Sequence, residues 1–561
     1  MLQDYDWINK VSIGEFFDSQ ADKLPFQKAL ITPDERDFTF RDLKDISNSL
    51  AQGMLSLGVQ PGDKVGVWIH NLPEWVFLFL ALAKLGAIMV PINPNARAWD
   101  LNYYLNAAEI KVLILVNKIN GTDYKEILKY AIPDLKIIPA QGKVSSDRLP
   151  YLKRVIVLGD NGESEFLSYE KVLEEANKVN GIDLPFRNEK VSSGDIALIK
   201  FTSSLDGYPR GAMLTHFGLI NNASAIAQNQ GFGPSDILCL PLPLHYIFGF
   251  WVGLMACFST HTPIVILPKY SALEVLKVLE EKHCTALYGV PTIFADLLNR
   301  PEFSRFNLQS LRTGMMSGDF CSPDLIKQTI QRFPIPELTI GYGITEIGLL
   351  TQTDCKEIRE EKVLFTVGNP LPGIEMKVID PGNGKEVSTG EKGEILVRSP
   401  FMMRGYYKMP EETAEVIDSE GWFHTGDLGI KDGEGFYRIT GRKRNMLIRG
   451  GENIYPREVE KYLLSFPGVI DAWVVGVPNR RLGEEAFAFV KTNNGLISNP
   501  QVIRDYFRNK ISRHNIPRWI TLVEKLPGET EGRKLSRNEL RRLAMEELRC
   551  EEEHPLEIVY D

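Results

Sequence analysis

Several carboxylate, hydroxyl and basic residues of this chain lie in short segments that also contain glycine. The segment 341–346 reads Gly-Tyr-Gly-Ile-Thr-Glu and ends on a hydroxyl and a carboxylate, oxygen groups that a hard cation takes as ligands. Asp427 can accept hydrogen bonds on both carboxylate oxygens, and Arg442 follows it fifteen positions later. Alone, the first segment is more often a tight turn, and the second pair can be a turn-capping Asp and an Arg on a solvated strand. The surrounding sequence has to decide between these interpretations.

Apolar runs of strand length alternate with helical patterns along most of the chain. This alternation predicts an α/β fold with largely parallel, buried sheets flanked by helices in a large N-terminal domain, 1–443. From about Gly393 the chain changes to shorter strands and glycine-rich turns. We predict a small, mobile α+β C-terminal domain at 444–561. The predicted strands include Val65 to Ile69, Val112 to Val116, Ile196 to Phe201 and Thr285 to Val290, and the predicted helices include Glu74 to Leu85, Ala272 to Lys282, Arg457 to Ser465 and Pro500 to Lys510.

Composition excludes several classes of protein. With 561 residues, 43% hydrophobic and 24% charged, the chain is too long for one core. A net charge of -9 argues against a nucleic-acid partner, which needs a concentrated basic surface. The six cysteines form no CxxC pair, so we expect reduced, structural thiols and a cytoplasmic location. Charged residues among the first sixteen argue against a signal peptide.

The segment Ile237 to Pro268 contains no Asp, Glu, Lys or Arg and is long enough to cross a bilayer. Prolines, glycines and a Ser-Thr-His-Thr cluster interrupt it. These residues favour a buried strand, turn and helix over a membrane span.

The stretch 441–456, Gly-Arg-Lys-Arg-Asn-Met-Leu-Ile-Arg-Gly-Gly-Glu-Asn-Ile-Tyr-Pro, follows the Trp-Phe-His-Thr-Gly-Asp of 422–427. Together they resemble the domain junction of the adenylate-forming superfamily, which contains acyl-CoA synthetases, luciferases and peptide-synthetase adenylation domains. The segments 367–373 and 402–413 continue the resemblance, which extends from about Thr39 to Leu540. It implies an enzyme that activates a carboxylic acid with ATP.

The resemblance implies roles for named residues around a nucleotide. The tyrosine of 341–346 would stack on adenine, its threonine would meet the phosphate and its glutamate would help to hold Mg²⁺. Asp427 and Arg442 would bind the ribose, while the segment 317–319 matches the adenine-side turn only loosely. The implied nucleotide residues in these segments and strands are Gly318, Asp319, Gly341, Tyr342, Gly343, Thr345, Glu346, Asp427, Ile439 and Arg442.

The family rotates its C-terminal domain between two half-reactions, about a residue two after the ribose-binding arginine. That residue is Arg444 here, where the family usually has Asp or Lys, so a basic hinge is compatible with rotation. Gly450, Gly451 and Glu452 would line the pantetheine tunnel, since absent side chains let the thin CoA arm approach the backbone. This match favours a thioester product.

The phosphate loop departs from the family pattern Thr-Ser-Gly-Thr-Thr-Gly-x-Pro-Lys-Gly. Residues 202–211 read Thr-Ser-Ser-Leu-Asp-Gly-Tyr-Pro-Arg-Gly, so Asp206 brings a carboxylate toward a triphosphate. At about 4 Å and an effective dielectric near 20, one such repulsion is on the order of 4 kcal/mol. Arg210 keeps the positive charge of the family's lysine. The implied phosphate residues are Thr202, Ser203, Gly207 and Arg210.

Two further motifs are altered. The acyl-pocket motif Leu-Pro-Leu-Tyr-His-Ile-Phe reads Leu-Pro-Leu-His-Tyr-Ile-Phe at 242–248, so His245 is either an acyl-site residue or a buried structural histidine. Near the C-terminus the family's lysine stabilises charge as the adenylate forms. Lys534 is the preferred match for that catalytic lysine, and Arg533 is the alternative.

These features predict an ATP-dependent carboxylic acid:CoA ligase that forms a medium- or long-chain acyl-CoA through an acyl-adenylate. The fatty-acid preference rests on the apolar segment containing Phe248, Phe250, Trp251 and Leu254. The implied cofactor is Mg²⁺, with ATP and CoA as co-substrates. The alternatives are an aryl-acid CoA ligase and a catalytically impaired nucleotide or acyl-CoA binding protein, the latter because of the altered phosphate loop. Peripheral membrane contact and oligomeric state stay open.

Overall fold

The computed structural model describes residues 7–119, 121–138, 142–159, 165–176, 190–202, 209–357, 359–442, 446–479, 481–492, 499–523 and 537–552. The chain divides into two compact units. Unit 1 comprises 1–94, 101–202 and 210–441, and unit 2 comprises 95–100, 203–209 and 442–561. The domain boundary at 443/444 stays a prediction.

Unit 1 contains a nine-stranded sheet whose central strands run parallel. The inner strands are buried on both faces, which explains their continuous apolar sequences. Antiparallel strands close both edges. In spatial order the strands are Phe38–Thr39, Lys28–Ile31, Ile264–Ile266, Leu238–Leu240, Ala286–Gly289, Thr313–Met316, Glu337–Ile344, Gly348–Gln352 and Asn369–Pro370.

A second nine-stranded sheet of unit 1 also has a parallel centre and antiparallel edges. At one edge, Ile196–Thr202 and Arg210–Thr215 are adjacent antiparallel strands that flank the predicted phosphate loop. The order is Arg210–Thr215, Ile196–Thr202, Ile88–Pro91, Lys64–Trp68, Val112–Val116, Arg154–Leu158, Lys143–Ser145 and Lys136–Ile138, with Leu167–Ser168 beside Arg154–Leu158.

A four-stranded sheet follows in the chain, in the order Glu375–Ile379, Lys392–Arg398, Phe423–Lys431 and Tyr437–Arg442. Lys118–Ile119 and Thr122–Asp123 form a separate two-stranded ribbon. The shorter strands expected from Gly393 onward are not found here, since Lys392–Arg398 has seven residues and Phe423–Lys431 has nine, whereas Ala286–Gly289 in the first sheet has four.

Local capping signals define the ends of several helices. Thr39 and Asp42 form a capping box at the start of Phe40–Ser56. Gly86, with φ of 70°, ends Pro73–Leu85 in the left-handed conformation that glycine adopts at no steric cost. The other α-helices from residue 13 to residue 416 are Ile13–Lys23, Ala98–Ala107, Tyr124–Ala131, Tyr169–Ala176, His216–Asn229, Ala256–Thr260, Ala272–Glu281, Pro291–Leu298, Pro323–Arg332, Glu360–Phe365 and Pro410–Val416, with a 3₁₀ turn at Phe303–Arg305.

The uncharged segment 237–268 forms short elements. It contains the strand Leu238–Leu240, the π-helix Phe248–Met255, the helix Ala256–Thr260 and the strand Ile264–Ile266. Across the part of the chain that the structure describes, no helix combines the length and the apolar character needed to cross a bilayer. The strand, turn and helix expected from its prolines and glycines are present.

Unit 2 has a five-stranded sheet and three α-helices among its described residues. Gly450 and Gly451, with φ of 58° and 87°, turn the chain between Leu447–Arg449 and Glu452–Ile454. Its elements are the strands Leu447–Arg449, Glu452–Ile454, Val469–Asn479, Gly483–Thr492 and Trp519–Val523, the helices Pro456–Leu464, Pro500–Phe507 and Arg537–Glu552, and a 3₁₀ turn at Arg513–Asn515.

Candidate active site

Asp427 and Tyr342 meet in the structure although they lie in different sheets. Tyr342 is in the strand Glu337–Ile344, and its hydroxyl donates to Asp427 Oδ2 at 2.6 Å. Asp427 is 3% exposed and lies within the nine-residue strand Phe423–Lys431, not at a turn. The turn-capping interpretation therefore does not apply, and two predicted nucleotide residues are joined directly.

The glycines of 341–346 keep this strand close to its neighbours. A Cβ at Gly343 would lie 2.4 Å from the carbonyl oxygen of Gly348, a separation that real side chains do not adopt. The carbonyl of Gly341 accepts a hydrogen bond from Ser317 Oγ at 2.8 Å, which connects this strand to the predicted adenine-side turn. Within that turn Gly318 has φ of 87°, and Asp319 Oδ1 accepts the Phe320 N–H.

Glu346, the predicted metal ligand, is held by residues of one later segment. Its Oε1 accepts the hydroxyl of Tyr406 at 2.7 Å, and its backbone carbonyl accepts the N–H of Met403 at 2.7 Å. Burial raises the pKa of Glu346, and the Tyr406 hydrogen bond opposes that rise. Glu346 is half-buried and follows the half-buried Thr345. One carboxylate is a donor set that suits Mg²⁺ bound mainly through phosphate and water oxygens.

Arg210 stands directly opposite Thr202 in the strand pair that flanks the phosphate loop. Its side chain is 8% exposed and contacts Glu415, with Nη2 and Oε2 3.6 Å apart. Its guanidinium carbon also lies 5.5 Å from the ring centroid of Tyr406, within cation–π range. The charge is therefore anchored at the base of the loop. Ser203 and Gly207 lie outside the described residues.

His245 is buried, and its ring centroid is 4.3 Å from that of Tyr246. In the π-helix that follows, Phe250 packs on Phe79 and the indole N–H of Trp251 donates to the carbonyl of Leu219 at 3.0 Å. Leu254, like these two, is fully buried, whereas Phe248 is half-buried and would lie 3.6 Å from a Cβ at Gly318. Of the four apolar residues used to predict the acyl pocket, Phe248 is thus the one beside the predicted nucleotide turn.

The remaining predicted residues belong to later parts of the chain. Ile439 lies in the strand Tyr437–Arg442, which Arg442 ends. Gly450 and Gly451 form a hairpin turn, and Glu452 Oε2 is 3.9 Å from His514 Nε2. Arg444 and Lys534, as well as the alternative Arg533, lie outside the described residues. Their implied roles stay predictions.

Tyr406 contacts two predicted site residues, yet the sequence analysis did not assign it a role. It is 6% exposed and lies in the segment 402–413, whose resemblance to the family implies no role for an individual residue. A tyrosine beside a glycine has no pattern that distinguishes it from a core aromatic. The pairing with Glu346 depends on contacts between residues sixty positions apart.

Comparison with known proteins identifies the family to which this sequence is similar. Residues 17–407 match the family described as AMP-binding enzyme, and residues 458–533 match the AMP-binding enzyme C-terminal domain. A Bacillus subtilis protein named "Putative acyl-CoA synthetase YngI" is 36% identical over 537 residues, which cover 95% of this chain and 97% of the relative. The mitochondrial medium-chain acyl-CoA ligase ACSF2 of Bos taurus is 32% identical, over 94% of this chain and 86% of the relative.

The fold also has close structural counterparts. The amide bond synthetase McbA from Marinactinospora thermotolerans superposes with a TM-score of 0.79 at 25% identity, covering 94% of this chain and 99% of McbA. Its fold supports the predicted α/β class. Together with the match over 17–407 and the joined nucleotide motifs, this similarity shows that the chain belongs to the adenylate-forming superfamily of AMP-binding enzymes.

Proposed function

We propose that this protein is an ATP-dependent carboxylic acid:CoA ligase that makes medium- or long-chain acyl-CoA. The observation that carries the proposal is the pair of tyrosine–carboxylate hydrogen bonds, Tyr342 to Asp427 and Tyr406 to Glu346. They hold the two carboxylates that we propose bind the ribose and the cation, Asp427 through the tyrosine of the Gly-Tyr-Gly-Ile-Thr-Glu motif and Glu346 at the end of that motif. Such an arrangement suits a nucleoside triphosphate better than a phosphate ester without a base.

The proposed reaction has two steps. A carboxylate oxygen of the acid attacks the α-phosphorus of ATP, which forms acyl-AMP and releases pyrophosphate. The CoA thiolate then attacks the acyl carbonyl, which forms the thioester and releases AMP. Lys534 would stabilise the developing charge in the first step. Mg²⁺, where bound, would neutralise phosphate charge, and Glu346 would hold it.

The two steps take place at the same site but need different side chains there, so the C-terminal domain would rotate between them. In this proposal Arg444 is the hinge of that rotation. The tunnel for the pantetheine arm of CoA is lined by Gly450, Gly451 and Glu452. The hairpin turn at the two glycines supports this role, because it presents backbone without side chains. Thr202, Ser203, Gly207 and Arg210 would hold the leaving pyrophosphate.

The acyl group is proposed to be a medium or long alkyl chain. Phe248 supports an apolar pocket next to the adenine-side turn, and its ring stacks at 5.9 Å on the fully buried ring of Tyr288. Aromatic acids are the second candidate, because the same aromatic surface can stack on an aryl group. The proposed compartment is the cytoplasm, supported by the free, buried thiols of Cys239, Cys257 and Cys284.

The experiment that tests the proposal measures pyrophosphate release and acyl-CoA formation by the purified chain. The reaction contains MgATP, CoA and a panel of acids from butyrate to palmitate, with benzoate and anthranilate as aryl substrates. Thioester formed from a C8 to C16 acid supports the proposal. Thioester from aryl acids alone would assign the second candidate, and nucleotide binding without turnover would contradict the ligase assignment.

The altered phosphate loop offers a second test. Combining Ser204→Gly, Leu205→Thr and Asp206→Thr restores the family's hydroxyl and glycine pattern and removes one negative charge. Because that charge opposes a triphosphate, we expect the KM for ATP to fall. An unchanged or raised KM would contradict the assignment of this segment as the phosphate loop.

A further inference from the structure

We propose that Tyr406 is a positioning residue that orients Glu346 toward the divalent cation of the bound nucleotide. The proposal rests on the proposed function and adds to it a residue that the nucleotide motifs do not contain. Tyr406 acts through Glu346 and is not itself a ligand. The Arg210 guanidinium lies over the ring of Tyr406.

The backbone places Tyr406 with little freedom. The N–H of Tyr407 donates to the carbonyl of Gly211 at 2.7 Å, and the N–H of Met213 donates to the carbonyl of Gly405 at 3.0 Å. Residues 405–407 therefore pair with the strand Arg210–Thr215, which follows the phosphate loop. The N–H of Tyr406 also donates to Thr413 Oγ1 at 2.9 Å. Any shift of this strand would move the tyrosine with it.

Glu346 receives two hydrogen bonds from this one segment. The Tyr406 hydroxyl contacts the carboxylate and the Met403 N–H contacts the backbone carbonyl, each at 2.7 Å. A carboxylate has two oxygens and about four acceptor sites, so a bond to Oε1 leaves acceptor capacity for a cation or its water. Fixing the side chain beforehand removes the rotamer entropy that cation binding would otherwise cost.

Arg210 holds the ring of Tyr406 in place and adds positive charge close to Glu346. Its guanidinium carbon lies 5.5 Å from the ring centroid, and Glu415 Oε2 lies 3.6 Å from its Nη2. Arg210 also begins the strand Arg210–Thr215, so the strand that pairs with residues 405–407 carries the cation that contacts the ring.

The neighbouring tyrosine provides a matched control. The hydroxyl of Tyr407 donates to a different carboxylate, Glu109 Oε2, at 2.8 Å. Tyr406→Phe and Tyr407→Phe thus remove the same atom from adjacent positions, and each removes one hydrogen bond from a tyrosine hydroxyl to a carboxylate. Of the two, only Tyr406 contacts the predicted nucleotide site.

Isothermal titration with MgATP, with ATP in EDTA and with AMP measures the proposed effect. We expect Tyr406→Phe to weaken MgATP binding about tenfold, because hydrogen bonds to charged groups are worth that much, and to leave AMP binding unchanged. Tyr407→Phe should bind all three like the unaltered chain. Equal weakening of MgATP and AMP, or no change in either, would overturn the proposal.

A double-mutant cycle separates positioning from a general packing role. If Tyr406 acts through Glu346, then Glu346→Gln with Tyr406→Phe should bind MgATP no more weakly than Glu346→Gln alone. If the losses of MgATP affinity in the two single variants add in the double variant, the proposal is overturned. The melting temperatures of all variants report whether they fold. An unaltered chain that binds MgATP but forms no thioester would contradict the ligase function while leaving this test intact.

Discussion

Glu458 is a buried carboxyl group of unit 2 that should make stability depend on pH. It is 6% exposed in the helix Pro456–Leu464, and Tyr462 follows it one turn later. The Tyr462 hydroxyl lies 3.0 Å from Glu458 Oε1 and 3.2 Å from Asp100 Oδ1. This hydroxyl has one proton for two carboxyl groups. Protonation of Glu458 would supply the second hydrogen bond.

Burial, together with the negative charge of Asp100, raises the pKa of Glu458 from 4.5 to about 8. The folded protein therefore binds a proton that the unfolded chain releases above about pH 4.5, and stability falls as pH rises toward 8. Between these two pKa values the free energy of unfolding falls by about 1.4 kcal/mol for each pH unit. Between pH 6 and pH 8 we expect the free energy of opening of this region to fall by about 2 kcal/mol.

Hydrogen exchange of the full chain, followed by mass spectrometry, measures this effect on the amides of Pro456–Leu464. In Glu458→Gln the amide keeps an acceptor for Tyr462 but cannot ionise. The ratio of protection factors, Glu458→Gln over the unaltered chain, should therefore increase by about thirtyfold from pH 6 to pH 8, which corresponds to the same 2 kcal/mol.

Glu460→Gln is the control on the same helix. Glu460 Oε1 accepts the N–H of Val474 at 2.9 Å and lies 3.0 Å from Arg537 Nη2, so its loss of charge should lower protection equally at both pH values. Protection of the unaltered chain that does not change with pH would refute the reasoning. So would a pH dependence that survives in Glu458→Gln, because the titrating group would then lie elsewhere.

Three further predictions concern unit 1. Burial lowers the pKa of His216 from 6.5 to about 4, so below pH 6.5 the unfolded chain binds a proton that the folded protein does not. The free energy of unfolding should therefore fall by about 2 kcal/mol between pH 7 and pH 5. Urea denaturation of His216→Gln should show a smaller fall. Gly368→Ala should lower the melting temperature far more than Gly384→Ala, because a Cβ at Gly368 would lie 2.0 Å from the Gln352 carbonyl carbon whereas nothing lies within 4 Å at Gly384; equal shifts would contradict this. Asp427→Asn should raise the Kd for AMP about tenfold or more, since a charged hydrogen-bond acceptor is lost, and unchanged titration would remove Asp427 from the ribose site.

Most predicted strand and helix limits agree with the structure to within one residue. Val112–Val116 is found as predicted, and Ala272–Glu281 ends one residue early. The larger difference is Pro500–Phe507, which ends three residues before Lys510, and Ile511 beyond it is buried in the core. Apolar runs and helical periodicity are local properties, so a single sequence contains the information that defines them.

Within the site, the sequence predicted the family motifs but not the contacts between their residues. Motif order alone indicated the superfamily and placed Tyr342, Glu346 and Asp427 in it. The sequence could not show that Tyr342 donates to Asp427, nor that Phe250 packs on Phe79 in the core while Phe248 lies beside Gly318. These contacts follow from how separate strands and helices meet.

What the sequence determined by itself is therefore the α/β class, the element limits and the family, which depend on hydrophobic pattern and on short motifs. The tertiary structure decided which residues act together, and Tyr406 is the clearest case. Its hydroxyl reaches Glu346 because residues 405–407 pair with the strand after the phosphate loop. Such pairing depends on sheet register and long-range packing, which no local pattern around Tyr406 encodes.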